Sequence, residues 1–440
     1  MLTKEENERL TRVGPGTPMG ELMRRYWHPI AAVSELDENP TKAVRLLGED
    51  LVLYKDRSGN LGLIGNRCAH RKVNMLYGIP EQEGLRCPYH GWLYNHEGRC
   101  LEQPYEEAED PGSNFKDKVR MKAYRAEELG GAIFAYMGPK PAPLLPRWDL
   151  FVWENCFRDI GVCIIPCNYL QIMENSLDPV HAEWLHNYWS NYVLERLGHP
   201  EMRTTNWING RLVAQPWQHK KIGFDVYEHG IIKRRVMYGE DEESANWKTG
   251  HPVLFPQILR VGGWWHNFQY RVPVDDTHTY HFWYTVYPAP EGAQAPKQGV
   301  IPFYEVSVPG PDQRGNPDWP ALDNAPGQDL VAWTTQGPIA DRSDEKLGLS
   351  DKGIILYRRL LKENLAKIER GEDPMNTFRD PEKNRFIQVV QEDRGGVQTG
   401  IRAVGNSGNA MVSWKLRNGS LEELYPSWIQ TKPRTVKVKA

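Results

Sequence analysis

The sequence predicts an α+β protein in two parts: an all-β N-terminal part that carries paired cysteines and histidines, and a larger part with an antiparallel sheet covered by helices on one face. Three observations predict it. Short alternating strands separated by turn residues run from about residue 43 to 68 and resume at 119–139, as in a β-meander. PKPAPLLP at 139–146 then breaks the pattern as a linker does. Beyond it, long strand-like segments accompany segments with helical spacing, which fold as helices gathered on one side of a sheet.

The bulk numbers narrow the class. A chain of 440 residues is long enough for a two-part unit. Hydrophobic residues make up 40% and charged residues 25%, as in an ordinary globular protein. A net charge of −3 without a long basic run argues against nucleic acid as a partner. No run approaches the ~18–20 apolar residues that span a bilayer, and MLTKEENERL lacks the apolar core of a signal peptide. No membrane and a cytoplasmic location are therefore expected. Cys100, Cys156, Cys163 and Cys167 have no ligand-like company and read as small buried hydrophobes. Tryptophan is abundant, with Trp264 and Trp265 in RVGGWWHNFQYRVPV. Packing accounts for most of it, and the same apolar interior could take an aromatic ligand.

In chain order, residues 1–28 read as a short loop and a helix, within RVGPGTPMGELMRRYWH, packing on the larger part. Residues 29–140 form the all-β part, from AVRLLGED, LVLYKDRSGN and LGLIGNRC to VRMKAYRAEELGGAIFAYMGP, with a turn at Ser58-Gly59-Asn60. Residues 141–440 form one α+β unit. CFRDIGVCIIPC reads as a strand, and residues 168–189 read as a helix in which Pro179 forces a kink or a new start. Strand-like segments follow at about 201–217, 222–238, 252–273 and 277–288. Residues 326–336 and 351–373 are helical, the latter with a charged far side.

CAHRKVNMLYGIPEQEGLRCPYH holds Cys68, His70, Cys87 and His90. Two thiolates and two imidazoles suit tetrahedral zinc, or a [2Fe-2S] centre with two cysteines on one iron and two histidines on the other. One Cys and one His from each of two loops favours the cluster, because two equivalent tips can clamp a flat two-iron centre from both sides. The stretch resembles the Rieske proteins, whose motif C-x-H-x(16)-C-x-x-H it matches, with CPYHGW and Arg71 in keeping with that family. Carriers and oxygenases share the motif, but a carrier could stop near residue 140, and this chain continues to 440.

ENSLDPVHAEWLHNYW places His181 and His186 five residues apart, so that a helix kinked or tightened there would bring the imidazoles together. A non-haem Fe(II) site asks for two His and one carboxylate on one face. Asp178 lies one helical turn before His181, where it can hydrogen-bond that imidazole or cap a helix begun by Pro179. Following a Rieske motif, the segment resembles the catalytic subunits of Rieske non-haem iron aromatic-ring oxygenases. Their pattern E-N-x(2–3)-D-x-x-H-x(4)-H falls on Glu174, Asn175, Asp178, His181 and His186. Its shorter spacing is similar to the phthalate dioxygenase and dehydrodivanillate O-demethylase branch, as are RVGPGTPMGELMRRYWHP and GPIADRSDEKLGLSDKGIILYRR. The third ligand must be a downstream carboxylate, among Asp323, Asp329, Asp341, Asp344 and Glu345. Asp329 opens a helix-like stretch at a place similar to the family's ligand and is the residue assigned, whereas Asp341 reads as capping or salt-bridging.

The resemblance implies a Rieske [2Fe-2S] domain at 29–140 and a helix-grip, START-like catalytic domain at 141–440. It implies a terminal oxygenase component that takes electrons from NAD(P)H through a separate reductase. With O2 at a mononuclear Fe(II), it would hydroxylate an aromatic, carboxylated compound or O-demethylate a methoxylated aromatic acid. It also implies a homotrimer, or stacked trimers, in which Asp178, with Asn175 beside it in the catalytic machinery, links His90 of one subunit to His181 of the next. The chain's own pattern agrees on the reductase, since no G-x-G-x-x-G follows a strand and no plant-type ferredoxin cysteine spacing occurs. For a substrate carboxylate the candidates are Arg203 and the pair Arg234 and Arg235, one of which should face inward from a strand. Two other readings compete. An electron carrier would hold two irons per chain instead of about three, and a zinc-stabilised ligand-binding module would be colourless.

Overall fold

The computed structural model describes residues 2–391 apart from 201–202, 204–205, 209–210, 214–217, 263–265 and 290–291. The expectations for Trp264, Trp265, much of 201–217 and the end of 141–440 lie outside the described residues.

Two helices open the chain. α1 (Lys4–Thr11), not expected from its charged sequence, starts in a capping box between Thr3 and Glu6. α2 (Pro18–Met23) has Thr17 as its cap and a proline in its first turn. The chain then runs through β1 (Trp27–Ala32), α3 (Val33–Glu38), β2 (Thr41–Leu46), β3 (Glu49–Lys55) and β4 (Leu61–Gly65). Four short strands follow: β5 (Ile79–Pro80), β6 (Leu85–Arg86), β7 (Leu93–Tyr94) and β8 (Cys100–Glu102). After α4 (Pro104–Glu109) come β9 (Ala123–Leu129) and β10 (Ala132–Tyr136). The sheet order is β1-β10-β9-β4-β3-β2, with β5 to β8 in a small sheet of their own. Alternation splits β3 between two cores. Leu51 and Leu53 join the main core, while Val52 and Tyr54 join a small core with Cys68, Cys87, Trp92 and Tyr94.

The second part begins with α5 (Asp149–Val152) and β11 (Cys156–Ile165). The expected helix over 168–189 is a broken series: α6 (Tyr169–Ser176), α7 (His181–Glu183), a π-helical turn (Trp184–Trp189) and α8 (Ser190–Arg196). Strands β12 (Asn206–Ile208), β13 (Arg211–Val213), β14 (His219–Tyr227) and β15 (Gly230–Met237) precede α9 (Ala245–Lys248). Then come β16 (His251–Leu254), β17 (Ile258–Val261), β18 (His266–Pro273), β19 (Thr279–Pro288), β20 (Phe303–Glu305), α10 (Ala325–Thr334) and α11 (Lys352–Glu369). The segment read as one strand over 222–238 is the β14–β15 hairpin, and 252–273 is three strands.

The large sheet has the order β14-β15-β16-β17-β18-β19-β11-β20. It departs from the purely antiparallel expectation at one edge, where β20 pairs parallel with β11. β20 follows β19 in the chain and lies on the other side of β11 from it. Phe268, Tyr270, Phe282 and Tyr284 face the main core, which includes Phe134 of β10. Trp283 faces the other way, against Ile172 of α6 and Leu330 and Trp333 of α10. α6 and α10 therefore lie over the face that carries Trp283. Cys100, Cys156, Cys163 and Cys167 are all buried. No helix among the described residues is long and apolar enough to cross a membrane.

One ion cluster ties these pieces together. Glu174, buried on α6, accepts from Arg342 Nη2 at 2.8 Å and from Arg358 Nε at 2.7 Å. Arg342 reaches on to Asn7 of α1, and Arg358, on α11, to Glu345. Burial pushes the Glu174 carboxyl up, and the two guanidiniums more than reverse this, leaving it below its ordinary value. Glu174→Gln leaves Arg342 buried without a carboxylate and Arg358 with Glu345 alone, and should cost about 3–5 kcal/mol of stability. A denaturant melt would show this as a lower midpoint with an unchanged slope.

Candidate metal centres

The two Cys/His loops have the same backbone construction. Cys68 donates to Val73 O at 2.9 Å and its carbonyl accepts from Lys72 N at 3.0 Å. Cys87 donates to Trp92 O at 2.8 Å and its carbonyl accepts from Gly91 N at 3.1 Å. Each loop closes on a residue of positive φ, Lys72 at 65° and Gly91 at 75°. Glycine adopts that conformation freely; lysine does so at a cost. Both cysteines are buried, and burial together with the neighbouring Cys68 pushes the Cys87 thiol up.

The imidazoles of His70 and His90 lie 4.5 Å apart between centroids, and His70 stacks on Trp92 at 4.3 Å. His70 Nδ1 is buried without a hydrogen-bond partner among the described residues, while the His90 residue is exposed. A paired set of thiols, a paired set of imidazoles and an orphaned ring nitrogen fit a two-iron centre. A single zinc would draw all four ligands together at about 2.0–2.3 Å from one ion. Among the described residues, only His181, His186 and Asp329 gather ligand atoms within 4.8 Å of one another.

That second gathering follows from three local devices. Asp178 Oδ1 accepts from Val180 N at 2.7 Å and His181 N at 3.3 Å, so its side chain caps the turn that leads from the break into α7. Where the sequence allowed a kinked or tightened helix, the following turn is widened into a π-helical turn, which brings residues five apart towards one face. Third, α10 is capped by Asn324, whose side chain accepts from Gly327 N at 2.9 Å. Gly327 is needed there, since a Cβ would lie 2.0 Å from Ala321 O.

Asp329 Oδ1 lies 3.2 Å from His186 Nε2 and 3.9 Å from His181 Nε2, and has no hydrogen-bond partner. Burial raises the Asp329 carboxyl, and the imidazoles of His186 and His181 more than reverse this. Burial lowers His186, and the Asp329 charge brings it above its ordinary value. Two imidazole nitrogens and a buried, unbonded carboxylate oxygen fit a two-histidine, one-carboxylate ferrous site. Asp178 Oδ2 faces His181 Nδ1 at 3.6 Å, beyond hydrogen-bond reach. Asp341 accepts from Ser343 N at 2.9 Å in an exposed turn, the capping role expected of it.

The arginine candidates need correction. Arg203 is exposed and pairs with Glu195; Arg234 pairs with Asp225 and binds the carbonyls of Trp247 and Lys248. Both are committed to acids on the outside. Arg235 is the buried one, and its Nη2 lies 2.7 Å from His251 Nε2. Sequence reasoning missed Gln328, whose Oε1 lies 2.9 Å from His186 Nδ1. It also missed Glu183, which accepts from His219 and pins the end of α7 to β14. Neither has a local signal, because each contact joins residues far apart in the chain.

The model of the Rieske [2Fe-2S] domain matches residues 26–124, and that of a LigXa C-terminal-like domain matches 312–391. The 5,5'-dehydrodivanillate O-demethylase oxygenase subunit of Sphingobium sp. is 44% identical over 92% of this chain and 90% of its own length. The chain belongs to the Rieske oxygenases. The phthalate 4,5-dioxygenase oxygenase subunit of Pseudomonas putida is 34% identical over 89% of this chain and 93% of its own. The structure of NdmA with caffeine, from Pseudomonas putida CBB5, shares the fold with a TM-score of 0.57 at 20% identity, covering 86% of this chain and 99% of that one.

In this Rieske oxygenase the Tyr94 hydroxyl lies 3.3 Å from Cys68 Sγ. Hydrogen bonds to ligand sulfurs set cluster potentials. A donor withdraws charge from the thiolate and favours the reduced state. Tyr94→Phe should therefore lower the cluster's midpoint potential, as read by a redox titration followed in the visible. An unchanged potential would mean that the hydroxyl does not bond the ligand.

Proposed function

We propose that this Rieske oxygenase is the terminal component of a system in which a separate reductase draws on NAD(P)H, and that it oxygenates an aromatic acid at a mononuclear ferrous ion held by His181, His186 and Asp329. The observation that carries the reading is the gathering of those three side chains with an unbonded carboxylate oxygen among them. A ferrous ion with open positions, beside a one-electron cluster held by Cys68, His70, Cys87 and His90, supplies the reduction of O2 that closed-shell aromatics need. Residues 29–140 are the redox domain in this reading and 141–440 the catalytic one. The competing carrier and zinc-module readings leave the second gathering without a purpose.

The acid reading has its own support. Arg271 is buried on β18, paired across strands with His281. Its guanidinium is held only by Gln269, with Nε unpartnered, and no carboxylate pairs with it among the described residues. Burial pushes it down to about 9, and the charge of Asp329 acts the other way. A buried cation without a carboxylate is costly, and a substrate carboxylate would complete it. Arg271 takes over the role first sought at Arg203 and Arg234. Between the two outcomes considered, the 44%-identical relative, an O-demethylase subunit by name, favours O-demethylation over ring dihydroxylation.

Asp178 and Asn175 are the residues that would couple the centres. One Asp178 oxygen is spent on capping, and the other is left to face His181. His90 is exposed among exposed Tyr77 and Tyr89, and Trp184, Tyr188 and Tyr192 are exposed on the helices that carry the second site. Two aromatic patches, one at each centre, suit subunits packed head to tail in a trimer, single or stacked.

The test is iron analysis with substrate-stimulated O2 uptake, screening aromatic carboxylates, their carboxamides and methoxyaromatics with a compatible reductase. About three irons per chain are expected, with uptake driven by an acid and not its amide. Asp329→Ala should lose the single iron while the visible cluster spectrum persists; full activity in that variant would sink the ligand assignment. Asp178→Asn keeps a capping oxygen, so it should fold and bind both metals. Reoxidation of its reduced cluster by O2 and substrate, followed by stopped flow, should be severely slowed. A wild-type rate would leave Asp178 as a cap alone.

A further inference from the structure

We infer that Gln328 is the positioning residue that sets the tautomer and ring orientation of His186, so that one turn of α10 serves two of the three metal-facing side chains at once. The inference rests on the reading of His181, His186 and Asp329 as ligands. His186 Nδ1 lies 2.9 Å from Gln328 Oε1. An amide can be turned over, so this contact alone does not say which atom donates. The other end of the amide decides it. Gln328 Nε2 lies 2.9 Å from the carbonyl oxygen of Leu322, and a carbonyl can only accept. The amide nitrogen must face Leu322, the amide oxygen must face His186, and Nδ1 must carry the proton. In the neutral ring Nε2 is then the lone-pair nitrogen, free to face a metal, and it is Nε2 that lies 3.2 Å from Asp329 Oδ1.

The support is rigid. Gln328 and Leu322 are buried, and Leu322 ends a 3₁₀ turn, Trp319–Leu322. That turn packs so closely on α10 that only glycine fits at 327. The two imidazoles are thus held differently. His186 has a neutral amide hydrogen-bonded behind it, while behind His181 the Asp178 carboxylate stands at 3.6 Å, outside hydrogen-bond reach. A carboxylate behind a ligand histidine raises its basicity as well as orienting it; an amide orients the ring while leaving it a plain imidazole. Because Gln328 and Asp329 are adjacent, a movement of α10 shifts one ligand and the support of another together.

The test uses the full chain with its cluster in place and the mononuclear site emptied by chelation, then titrated anaerobically with Fe(II) against a chromophoric chelator. Gln328→Met fills a similar volume and removes the acceptor. It should weaken Fe(II) binding on the order of 10–100-fold, with the visible cluster spectrum and thermal midpoint unchanged. Gln328→Glu keeps an acceptor for Nδ1–H and gives up the donor to Leu322; it should bind Fe(II) close to wild type. Wild-type affinity in Gln328→Met overturns the inference. So does equal loss in both variants, which would assign the effect to the Leu322 contact. If Gln328→Met fails to retain its cluster, the Gln328→Glu titration still decides, since loss of Fe(II) affinity there overturns the inference and retention upholds it. A wild-type protein that takes up no iron beyond its cluster would instead sink the reading of the three ligands, which keeps the two failures apart.

Discussion

A buried carboxylate with two arginines on it holds the second half of this molecule in register. Glu174 sits where four segments meet: α1 through Asn7, α6 itself, the stretch around Arg342, and α11 through Arg358. Apolar contact is non-directional and would let these segments slide. Guanidinium forks are directional, and a carboxylate deprived of one would be left charged in a dry interior. The ion cluster therefore fixes where the C-terminal end of α6 points, and everything downstream in α7 inherits that direction. Gly353 on α11 serves the same end, since a Cβ there would lie 2.7 Å from the carbonyl oxygen of Leu177.

From that anchor, the second metal-facing site is a matter of helix geometry. In a regular α-helix, residues five apart point about 140° away from each other. The break at Asp178 and Pro179 restarts the helix, and the π-helical turn widens it, so that His181 and His186 come round to one side, with ring centroids 5.1 Å apart. The third member arrives from α10, held at its start by Asn324 and pressed against the preceding turn at Gly327. Two helix starts, from distant parts of the chain, aim at one point.

The first centre uses a different strategy. Two loops with the same hydrogen-bond pattern each bury one cysteine; of their histidines, His70 is half-buried against Trp92 and His90 is exposed. The sulfurs lie in a small core of their own with Tyr54, Trp92 and Tyr94. Such a division keeps the thiol side dry and leaves one imidazole, that of His90, at the surface.

Much of the candidate chemistry can be read from the sequence, because it depends on spacings of a few residues that covalent geometry enforces. Cys68 with His70, Cys87 with His90, and Asp178 with His181 and His186 are each set within one loop or one turn. The strand parity of Arg234 and Arg235 likewise said that one would face inward, and Arg235 does. What spacing could not say is which partners wait on the other side. Arg235 meets His251, Arg203 meets Glu195, and Arg271, a single arginine in an unremarkable strand, bonds Gln269 and has no carboxylate paired with it among the described residues. Asp329 was reached only through likeness to a family, and Gln328 not at all, because its bond to His186 spans 142 positions of sequence. Local motifs are written in the order of residues. The pairing of distant ones is decided by where the whole sheet and its covering helices come to rest, and that is a sum over the packing of hundreds of side chains.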